Sequence, residues 1–400
     1  MNQLELLAPA GDLNRLKTAI DYGANAVYLG GKSYSLRARA SNFEIEDIAE
    51  AVKYARSKGA KVFVTVNMIP HEEDLTGLKE YLKTLDSIGV DAVIVASYHV
   101  VELVKEHTKN MEVHLSTQLS ATNSHALAFY KQLGVNRVVL ARECSLTDIK
   151  AINEKNILPT EVFIHGGMCV NISGRCTLSN YMTLRDANRG GCAQSCRWKY
   201  ACFDQDMNKV SDDLILFSMS SKDLNATPIL SELIDANVMS LKIEGRMKSE
   251  YYLATVVGAY RKFIDGFKSN DRSCLIQKTM VELTKAENRP TFSGFYQNKP
   301  NEKGHLYGVN GAGVTQEFLG VVLSYDKKQQ IASMQVRNHF EVGMMCEVFG
   351  PNHENLQFVV TEIYDSNEEQ VNRVFKPMEV VKIKVPFEVQ EKDFIRKIKK

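Results

Sequence analysis

Cys169, Cys176, Cys192 and Cys196 fall within the stretch from Glu161 to Trp198 and make up half of the eight cysteines in the chain. They stand among glycines, serines and arginines rather than on an apolar face, so packing does not explain them. Two chemistries use thiols gathered in this way: a soft metal centre and a pair of disulfides. Met1 to Asp12 reads as a strand and a turn with no basic leader, and no later apolar run approaches the roughly 20 residues of a membrane span. A cytoplasmic location without a membrane partner is expected. In a reducing compartment clustered thiols are more often metal ligands or redox groups than structural disulfides. The spacing C-x6-C-x15-C-x3-C lacks the paired C-x2-C knuckles of most structural zinc sites, whereas thiolates from one wrapped loop suit an iron–sulfur cluster. A 4Fe-4S cluster, zinc, and buried or reactive thiols with no metal are the readings left open, and the first best suits the donors.

These thiols need a scaffold. From Leu4 to about Asp265, short apolar runs alternate with amphipathic helical windows. Strands are expected at Leu4–Ala8, Ala26–Leu29, Lys61–Asn67, Ala92–Ala96, Glu112–Thr117, Arg137–Ala141, Glu161–His165 and Ser240–Glu244. Helices are expected at Ile45–Ser57, Leu75–Ile88, Val100–His107, Ser124–Leu133 and Leu146–Asn153. Strand and helix alternating about eight times indicates an α/β fold with a parallel sheet. The count favours a TIM-like (β/α)8 barrel over a doubly wound sheet, and no G-x-G-x-x-G follows the first strand. The cysteine-rich loop, residues 166–198, interrupts the barrel after the seventh strand, so some irregularity is expected.

Barrel enzymes assemble their sites at the carboxyl ends of the strands. Gly30, Gly31, Asn67, His114, Ser116, Gln118, Arg142, Glu143, His165, Lys242, Glu244 and Arg246 all fall there, and the cysteine loop opens from the same rim. His114 and His165 are the candidate proton-transfer groups, each equally readable as a hydrogen-bonded inner histidine. Asn67, Gln118, Arg142, Glu143, Lys242, Glu244 and Arg246 are the candidate substrate contacts. Their charges also suit structural ion pairs, but several cations around one mouth suit a carboxylate or phosphate ligand. Gly30-Gly31 reads as a tight turn, because no Lys-Ser/Thr follows to complete a phosphate loop. Asp12 reads as a helix N-cap. Cys144 and Cys202 are alternative ligands; Cys274 and Cys346 read as ordinary thiols.

After a helix around Glu250–Phe267, the polar run Lys268–Arg272 marks a hinge, and a short helix covers Ile276–Ala286. The pattern then turns to alternation at Phe318–Ser324, Ile331–Val336, Met345–Phe349, Phe358–Tyr364 and Val380–Val385, which suggests a small closed β-barrel. The expected divisions are a barrel domain at 1–268, a linker at 269–310 and a C-terminal β-barrel at 311–400. A formal charge of +1 exerts no global pull on nucleic acid, so RNA contact would need a local patch. The basic tail Arg396-Lys397-Ile398-Lys399-Lys400 reads as a solvated end, with RNA contact the alternative.

The pattern Glu161-x-Phe163-x-x-Gly166-Gly167-Met168-Cys169-x6-Cys176-x-Leu178-Ser179 resembles the signature of peptidase family U32, the collagenase-like proteases. Ala8-Pro9-Ala10-Gly11, Leu241-Lys242-Ile243-Glu244-Gly245-Arg246 and Asn288-Arg289-Pro290-Thr291-Phe292-Ser293-Gly294-Phe295-Tyr296 extend the resemblance over essentially the whole chain. It implies a translation-factor-like barrel at the C-terminus. It also implies one of two activities. The family name implies peptide hydrolysis, but there is neither H-E-x-x-H nor G-x-S-x-G, which leaves a cysteine nucleophile paired with His165. The branch that carries the cysteines implies hydroxylation of the wobble uridine of tRNA to 5-hydroxyuridine, with prephenate as co-substrate and a tRNA anticodon loop as partner. That branch implies a 4Fe-4S cluster on Cys169, Cys176 and Cys192. The fourth ligand lies further downstream in some relatives, and Cys196 takes the place here because no cysteine occurs between Cys202 and Cys274. A paralogous protein is a further implied partner, and a non-catalytic iron–sulfur scaffold is the third reading.

Overall fold

The computed structural model describes residues 4–36, 42–212, 216–268, 271–286, 289–306 and 317–398. Runs rich in Val, Ile and Leu form the parallel strands β1 (Glu5–Pro9), β2 (Ala26–Gly30), β3 (Lys61–Val66), β4 (Ala92–Val95), β5 (Glu112–Leu115), β6 (Arg137–Val139) and β7 (Thr160–Gly166). These are followed by β8 (Asp223–Asn225), β9 (Ser240–Ile243) and β10 (Thr291–Phe292). Strands β1 to β7 pair in chain order, and β9 pairs in parallel with both β7 and β1, closing an eight-stranded barrel. All eight expected strands are present. The two additional strands form a flap beyond the barrel end: β8 runs antiparallel to the last residues of β7, and β10 runs parallel to β8.

The covering helices are α1 (Leu13–Asp21), α2 (Ile45–Ser57), α3 (Leu78–Ser87), α4 (Tyr98–His107), α5 (Ser124–Gln132), α6 (Leu146–Glu154), α7 (Leu178–Thr183) within the cysteine loop, α8 (Leu230–Asp235), α9 (Glu250–Gly266) and α10 (Arg272–Thr284). Local chemistry sets their starts. Asp12 accepts a hydrogen bond from the Arg15 backbone N–H as the N-cap of α1, Asn123 and Ser145 do the same for α5 and α6, and Asp271 caps α10. Among the described residues no helix is long and apolar enough to cross a membrane.

The C-terminal chain forms a curled antiparallel sheet. From one edge to the other its strands are Leu356–Val359, Met345–Phe349, Phe394–Lys397, Glu317–Asp326, Ile331–Val336, Val380–Lys384, Ile363–Tyr364 and Gln370–Val371. It wraps a core of its own around Val322, Met334, Val348, Ile363 and Val381. It also packs on the barrel's helices. The hydroxyl of Tyr22, the C-cap of α1, donates to the Lys392 carbonyl at 3.0 Å, and Tyr251 of α9 stacks on Phe318 with ring centroids 5.0 Å apart.

The expected solvated tail is corrected here. Phe394–Lys397 is an interior strand, flanked by Glu317–Asp326 and Met345–Phe349. Arg396 is fully buried. Its Nε donates to Glu347 at 2.7 Å, its Nη2 to Glu282 of α10 at 2.7 Å, and its guanidinium lies 4.1 Å from the Phe349 ring centroid. Lys285 bonds the same two carboxylates at 2.9 Å each. Lys399 and Lys400 lie outside the described residues, as do Ser269 and Asn270 of the expected hinge. Removing one partner of a buried ion network leaves the others uncompensated. Arg396→Ala should therefore lower stability by about 3 kcal/mol, read as a fall in the urea unfolding midpoint; an unchanged midpoint would mean that the network holds nothing together.

Candidate active site

The barrel interior is unusually polar. Glu5, Arg137, Glu161 and Lys242 are all buried and point inward from β1, β6, β7 and β9. Lys242 Nζ donates to Glu161 at 2.8 Å; Arg137 Nη1 donates to Glu161 at 3.2 Å and to Glu5 at 2.5 Å; Ser240 Oγ donates to Glu5 at 2.8 Å. Burial opposes ionisation of Glu161, but the Lys242 and Arg137 charges outweigh it and hold the carboxyl below its usual range. Lys242 therefore enters the site already ion-paired, with its ammonium 4.4 Å from the Tyr28 ring centroid.

Above this network lies a cavity of about 330 Å³ at the carboxyl ends of the strands. Asn67, Gln118, Arg142, Glu143, Lys242, Glu244 and Arg246 line it, and so do all four clustered cysteines. Several of these side chains are engaged with the protein. Asn67 Nδ2 donates to Gln118 at 2.9 Å, and Ser116 Oγ donates to the same amide oxygen at 3.1 Å. Arg246 reaches Ser35 Oγ at 3.0 Å and Thr65 Oγ1 at 3.3 Å. A Cβ at Gly30 would sit 2.0 Å from Arg246 Nη1, so this glycine admits a guanidinium. The expected tight turn at Gly30-Gly31 is thus corrected: Gly30 ends β2, and Gly31 bridges to Phe43.

Arg142 and Glu143 hold the cysteine loop. Arg142 Nη1 donates to the Gly167 carbonyl at 2.5 Å, and its guanidinium lies 3.8 Å from the Phe163 ring centroid. Glu143 accepts from Ser173 N–H at 2.7 Å and from its hydroxyl at 3.3 Å. Further along, Arg189 pairs with Glu73 and Asp74, and Arg197 donates to the Met168 carbonyl at 3.2 Å. Each of the three segments between successive cysteines contains one non-glycine residue in the left-handed region: Ser173, Leu184 and Gln194, with φ of 54°, 55° and 56°. Such backbone costs about 1–3 kcal/mol per residue where nothing compensates, and here each turn folds the chain back toward the cavity. None of the cysteines is in a disulfide. Burial, together with the nearby Cys169, pushes the Cys196 thiol up to about 11, with Arg197 opposing and Cys192 and Cys176 adding. Cys144 is buried with its thiol against the Ala121 carbonyl, and neither it nor Cys202 is among the residues that line the cavity.

The two histidines proposed for proton transfer do not reach the cavity, and both assignments are corrected. His114 is enclosed in the barrel below it, bonded through Nε2 to Glu112 at 3.0 Å and edge-on to Phe63. Strand parity would turn His165 inward with Glu161 and Phe163. A β-bulge between Phe163 and His165 breaks that parity, and the ring instead bonds the Tyr260 hydroxyl of α9 at 3.1 Å.

With the geometry in place, two matches to known families cover most of the molecule: Peptidase family U32 over residues 11–306, and the Peptidase family U32 C-terminal domain over residues 314–396. The chain belongs to peptidase family U32. It is 44% identical over 398 residues to a tRNA hydroxylation protein of Bacillus subtilis, covering 98% of this chain and 94% of that one. It is 34% identical over 410 residues to an uncharacterized protease of Methanocaldococcus jannaschii, covering 100% and 99%. It is 41% identical over 264 residues to a 23S rRNA 5-hydroxycytidine synthase of Escherichia coli, covering 66% and 40%.

The cavity wall also holds charged residues beyond those expected from the sequence. Arg197, Asp223, Lys248 and Arg289 also line the cavity. Arg197 follows Cys196 directly, and Arg289 sits in the quoted Asn-Arg-Pro-Thr motif; both were in view as sequence. Asp223 lies 3.4 Å from Arg289 and 3.9 Å from Arg197, on a strand too short to show a period. Six cations, Arg142, Arg197, Lys242, Arg246, Lys248 and Arg289, thus face three carboxylates, Glu143, Asp223 and Glu244, around one cavity.

Four unbridged thiols on one cavity fit the donor set of an iron–sulfur cluster. A single tetrahedral ion would require thiolates about 3.8 Å apart, given metal–sulfur bonds of about 2.3 Å. Among the described residues no group of three or more His, Cys, Asp or Glu side chains is disposed to hold one.

The His165 environment has a measurable consequence. Burial, with the Lys248 charge adding, pushes its imidazole down to about 3, against about 6.5 in an unfolded chain. The unfolded chain therefore takes up this proton first as pH falls. The group leaves stability unchanged above pH 6.5 and lowers it between about pH 6.5 and 3, by at most about 1.4 kcal/mol per pH unit. Denaturant titrations of wild type and His165→Gln at pH 7, 6 and 5 should give a steeper loss in the wild type; parallel losses would show that the imidazole is not buried neutral.

Proposed function

We propose that this protein hydroxylates RNA, replacing C5–H of the wobble uridine in a tRNA anticodon loop by C5–OH. Prephenate is the co-substrate, and a 4Fe-4S cluster is held by Cys169, Cys176, Cys192 and Cys196. The observation that carries the reading is the meeting of four unbridged thiols with six cations on one cavity at the carboxyl rim of the barrel. The similarity to the Bacillus subtilis and Escherichia coli relatives, both named for hydroxylated RNA, supports it. A cytoplasmic location and a paralogous partner protein belong to the same proposal.

Residue by residue, the cavity suits this task. Lys242 and Arg246 place fixed positive charge on its wall, and Lys248 has no carboxylate partner among the described residues. These cations suit the carboxylates of prephenate. The Ser116–Gln118–Asn67 row offers neutral donors and acceptors to a pyrimidine edge. A base from an unpaired loop enters such a cavity without the cost of opening a duplex. When bound, the cluster would supply redox or Lewis-acid chemistry beside the base. The net change adds one oxygen atom to the base and removes two electrons from it, so the reaction also requires an oxygen donor that takes up those two electrons.

Hydrolysis through a cysteine nucleophile is the weaker reading, although the Methanocaldococcus jannaschii relative is named a protease. A thiol–imidazole pair is what that chemistry uses, and among the described residues no histidine lines the cavity. Anaerobically purified protein should carry about four irons and four sulfides per chain, with a broad visible band, and Cys196→Ala should lose most of both. Nucleoside mass spectrometry of tRNA from a deletion strain complemented with wild type or Cys196→Ala should find 5-hydroxyuridine only with wild type. Iron-free wild-type protein together with unmodified tRNA would overturn the reading.

A further inference from the structure

The cysteine loop carries an outer face that the cavity does not use. On α7, Ser179 lines the cavity, while Tyr181 turns outward and is 84% exposed; Leu184, which ends the helix, is 95% exposed. Trp198 closes the loop beside Cys196, is 41% exposed, and lies 6.5 Å from Tyr200 between ring centroids, tilted by 32°. Helix α7 contacts the Ser195–Arg197 turn, which brings the segment that carries Tyr181 and Leu184 next to the one that leads into Trp198. Several apolar side chains left in water on adjoining segments, rather than one alone, mark a contact surface.

Charge indicates what that is. Between Gly167 and Lys199 the chain carries Arg175, Arg185, Arg189, Arg197 and Lys199 against the single carboxylate of Asp186, in a protein whose formal charge is +1 overall. The Asp186 carboxylate is spent on its own turn, accepting from Asn188 N–H at 2.8 Å. Arg189 is paired with Glu73 and Asp74 on the barrel, and Arg197 donates to the Met168 carbonyl within the loop. Arg175 and Arg185 pair with no carboxylate among the described residues. Exposed aromatics interleaved with unpaired arginines form the surface that binds single-stranded nucleic acid: bases stack on the rings and phosphates meet the guanidinium groups.

We infer that the outer face of the cysteine loop, centred on Tyr181, Leu184 and Trp198 and flanked by Arg175 and Arg185, is the platform for an unpaired RNA loop. It holds the nucleotides beside the target base while that base enters the cavity. The inference rests on the RNA reading of the site and gives it a binding surface.

The test uses the full-length, iron-loaded protein and a fluorescent anticodon stem-loop RNA, with affinity followed by anisotropy over a range of salt. Tyr181→Ser with Leu184→Ser should weaken binding on the order of ten-fold, with the salt dependence retained. Arg175→Ser with Arg185→Ser should weaken it and reduce the slope of log K against log salt by about 1.4, at about 0.7 per cation on a single strand. Iron content and circular dichroism should match wild type in both, because these side chains lie on the surface. Wild-type affinity and slope in both variants would overturn the inference while leaving the RNA reading intact. Unchanged RNA affinity with an altered mass in light scattering would overturn it in favour of a protein contact. A wild-type protein that binds no RNA would remove the functional reading and this inference together.

Discussion

Glu5, Arg137, Glu161 and Lys242 share a compartment from which water is excluded, and the rest of the site depends on their mutual neutralisation. An unpaired charge there would cost several kcal/mol. The pairing is possible because β9 lies between β7 and β1 in one register, with Ser240 opposite both Glu5 and Glu161, and Lys242 opposite both Leu7 and Phe163. A slip of one residue would turn Lys242 to the outer face and strand Glu161 without its partner. The ion network therefore fixes the closure of the barrel, and closure in turn fixes the cavity wall. An apolar filling would have closed the barrel as well, but it would have left no cation beneath the mouth.

Above that floor the chemistry is carried by a loop with very little regular structure, held by side chains in place of a sheet. Arg142 and Glu143 grip its beginning, Arg189 its middle and Arg197 its end. Ser173, Leu184 and Gln194 turn it back after each of the first three cysteines. The thiols consequently belong to a frame whose shape is set by the barrel rim. The two histidines, which are the usual carriers of protons, belong to the packing beneath and behind it.

The barrel was legible in the sequence because its strands are β-branched runs separated by helices with clear caps, and the cysteine loop was legible because four thiols in a polar stretch have no packing explanation. Legibility ended where a local exception decided the outcome. His165 lies two residues after an inward Phe163 and reads as inward, and only the pairing with β9 reveals the bulge that turns it. Arg396 follows two apolar residues at the end of the chain, too short an alternation to mark a strand, and its partners Glu347 and Glu282 are 49 and 114 residues away. Arg142 and Glu143 follow β6 closely in the sequence, but a contact made with a loop some thirty residues downstream leaves no spacing to read.

The arginines that staple the loop keep their charge after they have formed their bonds. Glu73 and Asp74 offset the charge of Arg189, but Arg197 satisfies only a carbonyl and Arg175 and Arg185 pair with no carboxylate among the described residues, so the segment from Gly167 to Lys199, with five cations to one anion of its own, stays positive. Their summed field extends roughly a Debye length, about 8 Å at physiological ionic strength, beyond the surface. One set of charges thus shapes the loop and, at longer range, draws polyanions toward the mouth while deflecting cations. Folding of the loop and capture of a partner share a single electrostatic origin, so dissolved salt weakens the two together.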